Sequence, residues 1–173
     1  MEELLGNDWP YSLWIGSLAV CTLVIVYTDI AWYWIPDAAV GAVALSNGLG
    51  WMLGLFAPNL WLGTLLALGF CAAYACYPSG MGSGDVKLTA ALCLGCTGSM
   101  AYGMLVVAFV TALGAACFLR LRSARPVIPF GPFLWIGWWS AFAVQEEWWI
   151  WLLLGRGAVW PMAIYCGNYW SFV

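Results

Sequence analysis

The residues able to do chemistry in this chain are carboxylates. Asp85 stands in Gly80-Met81-Gly82-Ser83-Gly84-Asp85-Val86-Lys87-Leu88-Thr89-Ala90-Ala91-Leu92, where an apolar sequence passes through three glycines and then sets an acid at the head of a new apolar run. A charged side chain at membrane depth costs roughly 3 kcal/mol on insertion scales, so such residues are rare and mark function by default. The glycines remove side-chain bulk and let another backbone approach the carboxylate closely. Asp29 closes the first apolar run of the chain. Two carboxylates in a partly desolvated site do not easily ionise together: one keeps its proton while the other stays charged. The charged one can act as general base on water, and the protonated one can polarise a peptide carbonyl. That is aspartic-protease chemistry.

Other chemistries are poorly supplied. The sequence contains no histidine, which excludes Ser-His and Cys-His nucleophilic catalysis. Lys87 lies two residues after Asp85, about 200° round a helix from it, and is read as snorkelling to the headgroups. Cys21, Cys71, Cys76, Cys93, Cys96 and Cys117 fall within apolar runs, where cysteine behaves as a small apolar residue. Cys93 and Cys96 form a lone C-x-x-C without a second pair, so neither a metal nor a cofactor is expected. The glycine stretch has no preceding strand and no closing Gly-Lys-Ser/Thr, which sets it apart from a phosphate loop.

The elements that must position the two aspartates follow from composition. Of 173 residues, 65% are apolar and 8% charged, against about 25% charged in soluble domains. The expectation is an all-α, polytopic transmembrane helical bundle. Long continuous apolar runs favour helices over the alternation of a β-barrel. Residues 1–173 read as a single membrane domain. The net charge of −3, with no basic patch interleaved with aromatics, makes the bilayer the expected partner and nucleic acid an unexpected one. Oligomeric state cannot be read from the sequence.

About six spans are expected. No basic residue precedes the first apolar run, so Tyr11 to about Thr28 reads as a retained span rather than a signal, with Asp29 at its end. Aromatic Trp32, Tyr33 and Trp34 suit an interface, and Pro36 redirects the chain. Asp37 is read as the cap of a second span, Ala38 to Phe56, and a turn at Pro58-Asn59 leads to a third, Leu60 to Tyr77. From Asp85 to Leu119 runs 35 nearly unbroken apolar residues, about 50 Å as one helix and too long for a core of about 30 Å. It must break at Gly95-Cys96-Thr97-Gly98-Ser99. Val127 to Val144 gives a sixth span, closed by Glu146-Glu147. The tail from Trp148 onward, interrupted by Arg156 and Pro161, spans, re-enters or lies on the membrane. Arg120-Leu121-Arg122-Ser123-Ala124-Arg125 holds three of the five basic residues and is cytoplasmic by the positive-inside rule. Two crossings separate Asp29 from Asp85, and two more separate Asp85 from the arginines, so all three face the cytoplasm.

These residues carry a resemblance. Gly82-Ser83-Gly84-Asp85-Val86-Lys87-Leu88 resembles the G-x-G-D-V-K-L signature of the bacterial type IV prepilin peptidases, short-form intramembrane aspartic leader peptidases. Asp29 followed by Ile35-Pro36-Asp37 is similar to the family's other site, an aspartate shortly before Ile-Pro-Asn. Ile128-Pro129-Phe130-Gly131-Pro132-Phe133-Leu134 is similar to the segment opening its last span. Presenilin-like proteases share the Gly-x-Gly-Asp element but are much longer. The resemblance implies cleavage of the short basic leader of prepilins or pseudopilins at the cytoplasmic face of the bacterial inner membrane. Asp29 and Asp85 would be catalytic; Gly82, Gly84, Lys87, Pro36, Pro129 and Gly131 would shape the site or bind substrate. Aromatics after Asp29, where basic residues are frequent, and Asp37 in place of asparagine bear on substrate preference. The domain with paired C-x-x-C motifs that accompanies methyltransferase activity has no counterpart here.

Each acid also has a plainer role. Asp85 could simply cap a helix, Asp29 could mark a helix end at the interface, and Asp37 is read as structural. Two non-enzymatic alternatives therefore stand beside the peptidase: a transporter that relays protons through buried carboxylates, and a structural subunit of a secretion machine.

Overall fold

A computed structural model describes residues 9–77, 81–122 and 128–144. The acidic N-terminus, Ser123 to Arg125 of the arginine loop, Glu146-Glu147 and the tail from Trp148 lie outside the described residues. The described residues form six helices and no strands: α1 (Trp9–Trp32), α2 (Asp37–Met52), α3 (Leu60–Cys76), α4 (Ser83–Cys93), α5 (Met100–Arg122) and α6 (Gly131–Ala143). Two stretches, Trp9–Trp32 and Met100–Leu119, are long and apolar enough to cross a membrane.

The helices break where the punctuation residues stand, but their lengths differ from the expected spans. Helix α1 continues one turn past Thr28, so Asp29 lies inside it rather than at its end. The helix stops at Tyr33, whose φ of 52° is left-handed and whose N–H donates to Asp29 O at 3.0 Å. Pro36, not Asp37, is the cap residue of α2, and no side chain caps it; Asp37 is the first helical residue. There a carboxylate favours the helix dipole without a capping bond. The capping side chain lies elsewhere: Asn59 accepts from Leu62 N at 3.1 Å and opens α3. The long apolar run breaks at residues 94–99 as expected, with Gly98 at φ 41°. Helix α6 starts at Gly131 rather than at Val127, with Pro132 in its first turn. Helix α4 has 11 residues, about 17 Å of rise, and α6 has 13, about 20 Å. Neither reaches the about 30 Å of a hydrocarbon core on its own.

Helix direction alternates. At one end lie the start of α4 and the start of α2, joined by Lys87 and Asp37, together with the last turn of α1 and the start of α6, joined by Asp29 and Gly131. At the other, the α2–α3 and α4–α5 connectors meet. Asn59 N donates to Cys96 O and Asn59 Nδ2 to Gly98 O, both at 3.0 Å, beside an isolated bridge between Pro58 and Thr97. These connector amides satisfy each other, as buried backbone must.

Helix α4 is central and packs on α2, α3 and α6. Its Val86, Leu88, Thr89, Ala91, Leu92 and Cys93 are buried. A buried amide ties it to its neighbours: Asn47 Oδ1 accepts from Trp14 Nε1 at 3.1 Å, and Asn47 Nδ2 donates to Ala91 O at 2.9 Å. One side chain thus links α1, α2 and α4. Gly95 must lack a side chain, because one would begin 2.6 Å from Asn47 Oδ1. Helices α5 and α6 approach most closely at Gly137, where any Cβ would run into the Met104 carbonyl. Trp135 and Trp138 on the same helix are both essentially inaccessible, and Trp138 packs its ring on Trp14 of α1 and on Phe142. The outer surface is the reverse of a soluble bundle's: Leu13, Val20, Leu23, Trp61, Leu65, Leu68, Val110 and Leu113 are all exposed.

Candidate active site

Asp29 is fixed from both directions by the chain. Its own carbonyl takes the N–H of Tyr33, which ends α1 immediately beyond it. Its carboxyl Oδ2 accepts the backbone N–H of Gly131 at 2.8 Å, across 102 positions of sequence. Gly131 is the first residue of α6, so its N–H has no partner within the helix and points out of the helix end. A carboxylate there satisfies an orphan donor and meets the positive end of the dipole. A side chain at Gly131 would begin 2.8 Å from Asp29 Oδ2. The contact therefore requires glycine for space, with no unusual backbone angle involved. Asp29 is buried, with 5% of its surface exposed.

Asp85 is the third residue of α4, after the cap residue Gly82 and two helical positions, Ser83 and Gly84. Its carboxyl turns back to accept the Gly82 N–H. This is half of a capping box, in which the third helical side chain reaches the cap's backbone N–H. The glycine matters again, because a side chain on Gly82 would start 3.1 Å from Asp85 Oδ2. Asp85 is half-buried, and Ile35 packs between its neighbour Gly84 and Gly131, the residue whose N–H holds Asp29. Two acids from helices far apart in sequence thus share one end of the bundle, each with one oxygen held by a glycine N–H.

The remaining expected residues divide. Gly82, Gly84 and Gly131 border the two acids, and Pro36 follows the buried Ile35 at the same end. Pro129 lies in the non-helical segment 128–130 just before α6 and is partly buried. Lys87 does not join the acids. Its ammonium donates to Asp37 Oδ1 at 2.8 Å, with the two side chains 53% and 73% exposed. The expected lone snorkelling lysine is instead an ion pair that links the first turns of α4 and α2.

The sequence reading names Ile35 only within the Ile35-Pro36-Asp37 motif and passes over Asn47. Ile35, only 6% exposed, lies between the start of α4, which bears Asp85, and the start of α6, which holds Asp29. A side chain at Gly84 would begin 3.0 Å from Ile35 Cβ, and one at Gly131 would begin 3.3 Å from Ile35 Cδ1. Nothing in its type announced this. Asn47 did carry a signal, being a lone amide inside the apolar run Ala42-Val43-Ala44-Leu45-Ser46-Asn47-Gly48. Among the described residues no group of three or more Asp, Glu, Cys or His side chains could hold a metal ion. Comparison of the chain with protein-family models, with curated proteins and with solved structures found no match.

Proposed function

We propose that this chain is an intramembrane aspartic endopeptidase that removes the short leader from type IV prepilin or pseudopilin-like substrates at the cytoplasmic face of the bacterial inner membrane. The observation carrying this reading is that Asp29 and Asp85, from α1 and α4, stand at one end of an apolar helical bundle, where Ile35 packs against both Gly84, beside Asp85, and Gly131, which holds Asp29. In the proposed reaction one carboxylate takes a proton from water as that water's oxygen attacks the scissile carbonyl carbon. The other, protonated, donates to the carbonyl oxygen. Collapse of the tetrahedral intermediate breaks the C–N bond, and the amine leaves with a proton from the acid pair. The Gly82 and Gly131 N–H groups keep the carboxyl groups oriented, which is where such a site gains most.

The membrane part of the proposal is a multi-pass bundle of about six spans, with the short α4 and α6 enclosed by longer helices. The apolar outer surface supports it, because side chains that face lipid need no polar complement. Alternating helix direction supports a common side for Asp29 and Asp85. N-methylation of the product is not part of the proposal.

One observation favours a different reading. The Asp85 carboxyl caps its own helix, which a structural or proton-relaying subunit would also need. Co-expression with candidate prepilins, scored by mass spectrometry of the pilin N-terminus, separates the two. Leader removal that depends on Asp29 and on Asp85 supports the peptidase. Leader removal that survives both Asp→Asn changes moves the structural reading ahead.

A further inference from the structure

The two acids sit on separate helices, so something must set the distance between the elements that hold them. We infer that Ile35 is a positioning residue: its side chain is a spacer wedged between the start of α4 and the start of α6. The inference rests on the peptidase reading for its functional meaning but on contacts alone for its geometry. Gly84 immediately precedes Asp85, and Ile35 Cβ lies 3.0 Å from where a Gly84 side chain would begin, with Cγ1 and Cδ1 at 3.5 Å. Gly131 donates to Asp29, and Ile35 Cδ1 lies 3.3 Å from where its side chain would begin. A single buried side chain therefore touches the backbone next to one acid and the backbone that clamps the other.

The choice of residue fits the task. Isoleucine is branched at Cβ and stiff about χ1, so its width is well defined. Its Cβ, Cγ1 and Cδ1 face Gly84, and the same Cδ1 reaches Gly131. Glycine at both contact points brings the two helix starts to within one isoleucine of each other. Two backbone features hold the spacer in place. Tyr33, at φ 52°, turns the chain sharply after α1, and Pro36 fixes φ at −65° directly after Ile35. Neither Lys87 nor Asp37, both exposed, serves this purpose.

The test combines activity with a readout that needs none. Ile35→Ala leaves Cβ in place but removes the span to Gly131, and Ile35→Val removes only Cδ1. Leader cleavage by Ile35→Ala is expected to lose about 10²-fold in kcat with KM nearly unchanged, the scale of a 1 Å misplacement. Ile35→Val, which lacks the Cδ1 that reaches Gly131, should lose several-fold in the same direction. In parallel, an apolar carbodiimide is applied to the membrane-embedded protein, and modification of Asp29 and Asp85 is read by peptide mass spectrometry. The Ile35→Ala variant should label at Asp29 several-fold faster than the unaltered protein, because Gly131, whose N–H holds that carboxyl, loses its support. If Ile35→Ala accumulates normally and neither kcat nor Asp29 labelling changes, the spacer role is overturned. If the unaltered protein cleaves no prepilin, the peptidase reading fails, and the labelling comparison alone decides the spacer. If Ile35→Ala does not accumulate, Ile35→Val carries the same comparison, and labelling of Asp29 at the unaltered rate overturns the inference.

Discussion

Replacing Gly131 by alanine presses chiefly on Asp29, with Ile35 Cδ1 a lesser conflict at 3.3 Å. The new Cβ would stand 2.8 Å from Asp29 Oδ2, against ordinary contact at 3.4 Å or more, so the carboxyl must retreat by about 0.6 Å. Retreat in that direction stretches a hydrogen bond that now measures 2.8 Å. Bonds of this kind to a charged group are worth about 1.5–3 kcal/mol, so complete loss corresponds to about 10- to 100-fold in rate. Fold stability should move far less. Alanine is favoured over glycine in a helix by up to about 1 kcal/mol, and Gly131 has no left-handed backbone angle that alanine would resist. If the chain is the proposed peptidase, the expected phenotype is a protein with normal membrane abundance and a thermal midpoint within a few degrees, but slow leader removal. The assay is the time course of cleavage of a co-expressed prepilin, with abundance by immunoblot and unfolding in detergent as controls. A Gly131→Ala protein that cleaves at the unaltered rate would refute the claim that the N–H of α6 orients Asp29.

Further expectations can be checked alongside. Asp29→Asn and Asp85→Asn should each abolish leader cleavage while the protein still accumulates, and the double variant should lose no more, because the two groups act as one unit. Asp37→Asn should keep most activity, since the exposed pair it breaks is worth at most about 1 kcal/mol. Asn47→Ala orphans Trp14 Nε1 and Ala91 O in the core, and should cost on the order of 3 kcal/mol, read as a lower unfolding temperature in detergent. Gly137→Ala should prevent accumulation of folded protein, because the Cβ has nowhere to go against the Met104 carbonyl; a stably folded variant would contradict the α5–α6 packing.

The sequence announces its helices through the residues that end them. Pro36, Pro58-Asn59, Gly95 to Ser99 and Pro129 each interrupt the apolar pattern, and the chain breaks at each. Where it misleads, the deciding contact is distant or the local signal is missing. Asp29 looks like a helix end because the real end, Tyr33, adopts a left-handed angle without the glycine that usually marks one. Asp37 looks like a cap because its type suits one, but Pro36 already occupies that position and the true partner, Lys87, is 50 residues away. The two acids are conspicuous because charges are scarce in this composition. What holds them is backbone: two glycine N–H groups and an isoleucine whose neighbours are glycines. Main-chain donors leave no letter in a sequence beyond the small residue that makes room for them.

The bond between Asp29 and Gly131 also orders events during synthesis. Asp29 emerges from the ribosome early, and the N–H that holds its carboxyl follows 102 residues later. Ile35, too, meets Gly84 long before it can meet Gly131. A nascent chain halted between Asp85 and Gly131 therefore carries both acids but not the element that arranges them. Completion of the site waits on the last described helix, so on the proposed peptidase reading premature termination upstream of Gly131 yields an inert fragment rather than a partly active one.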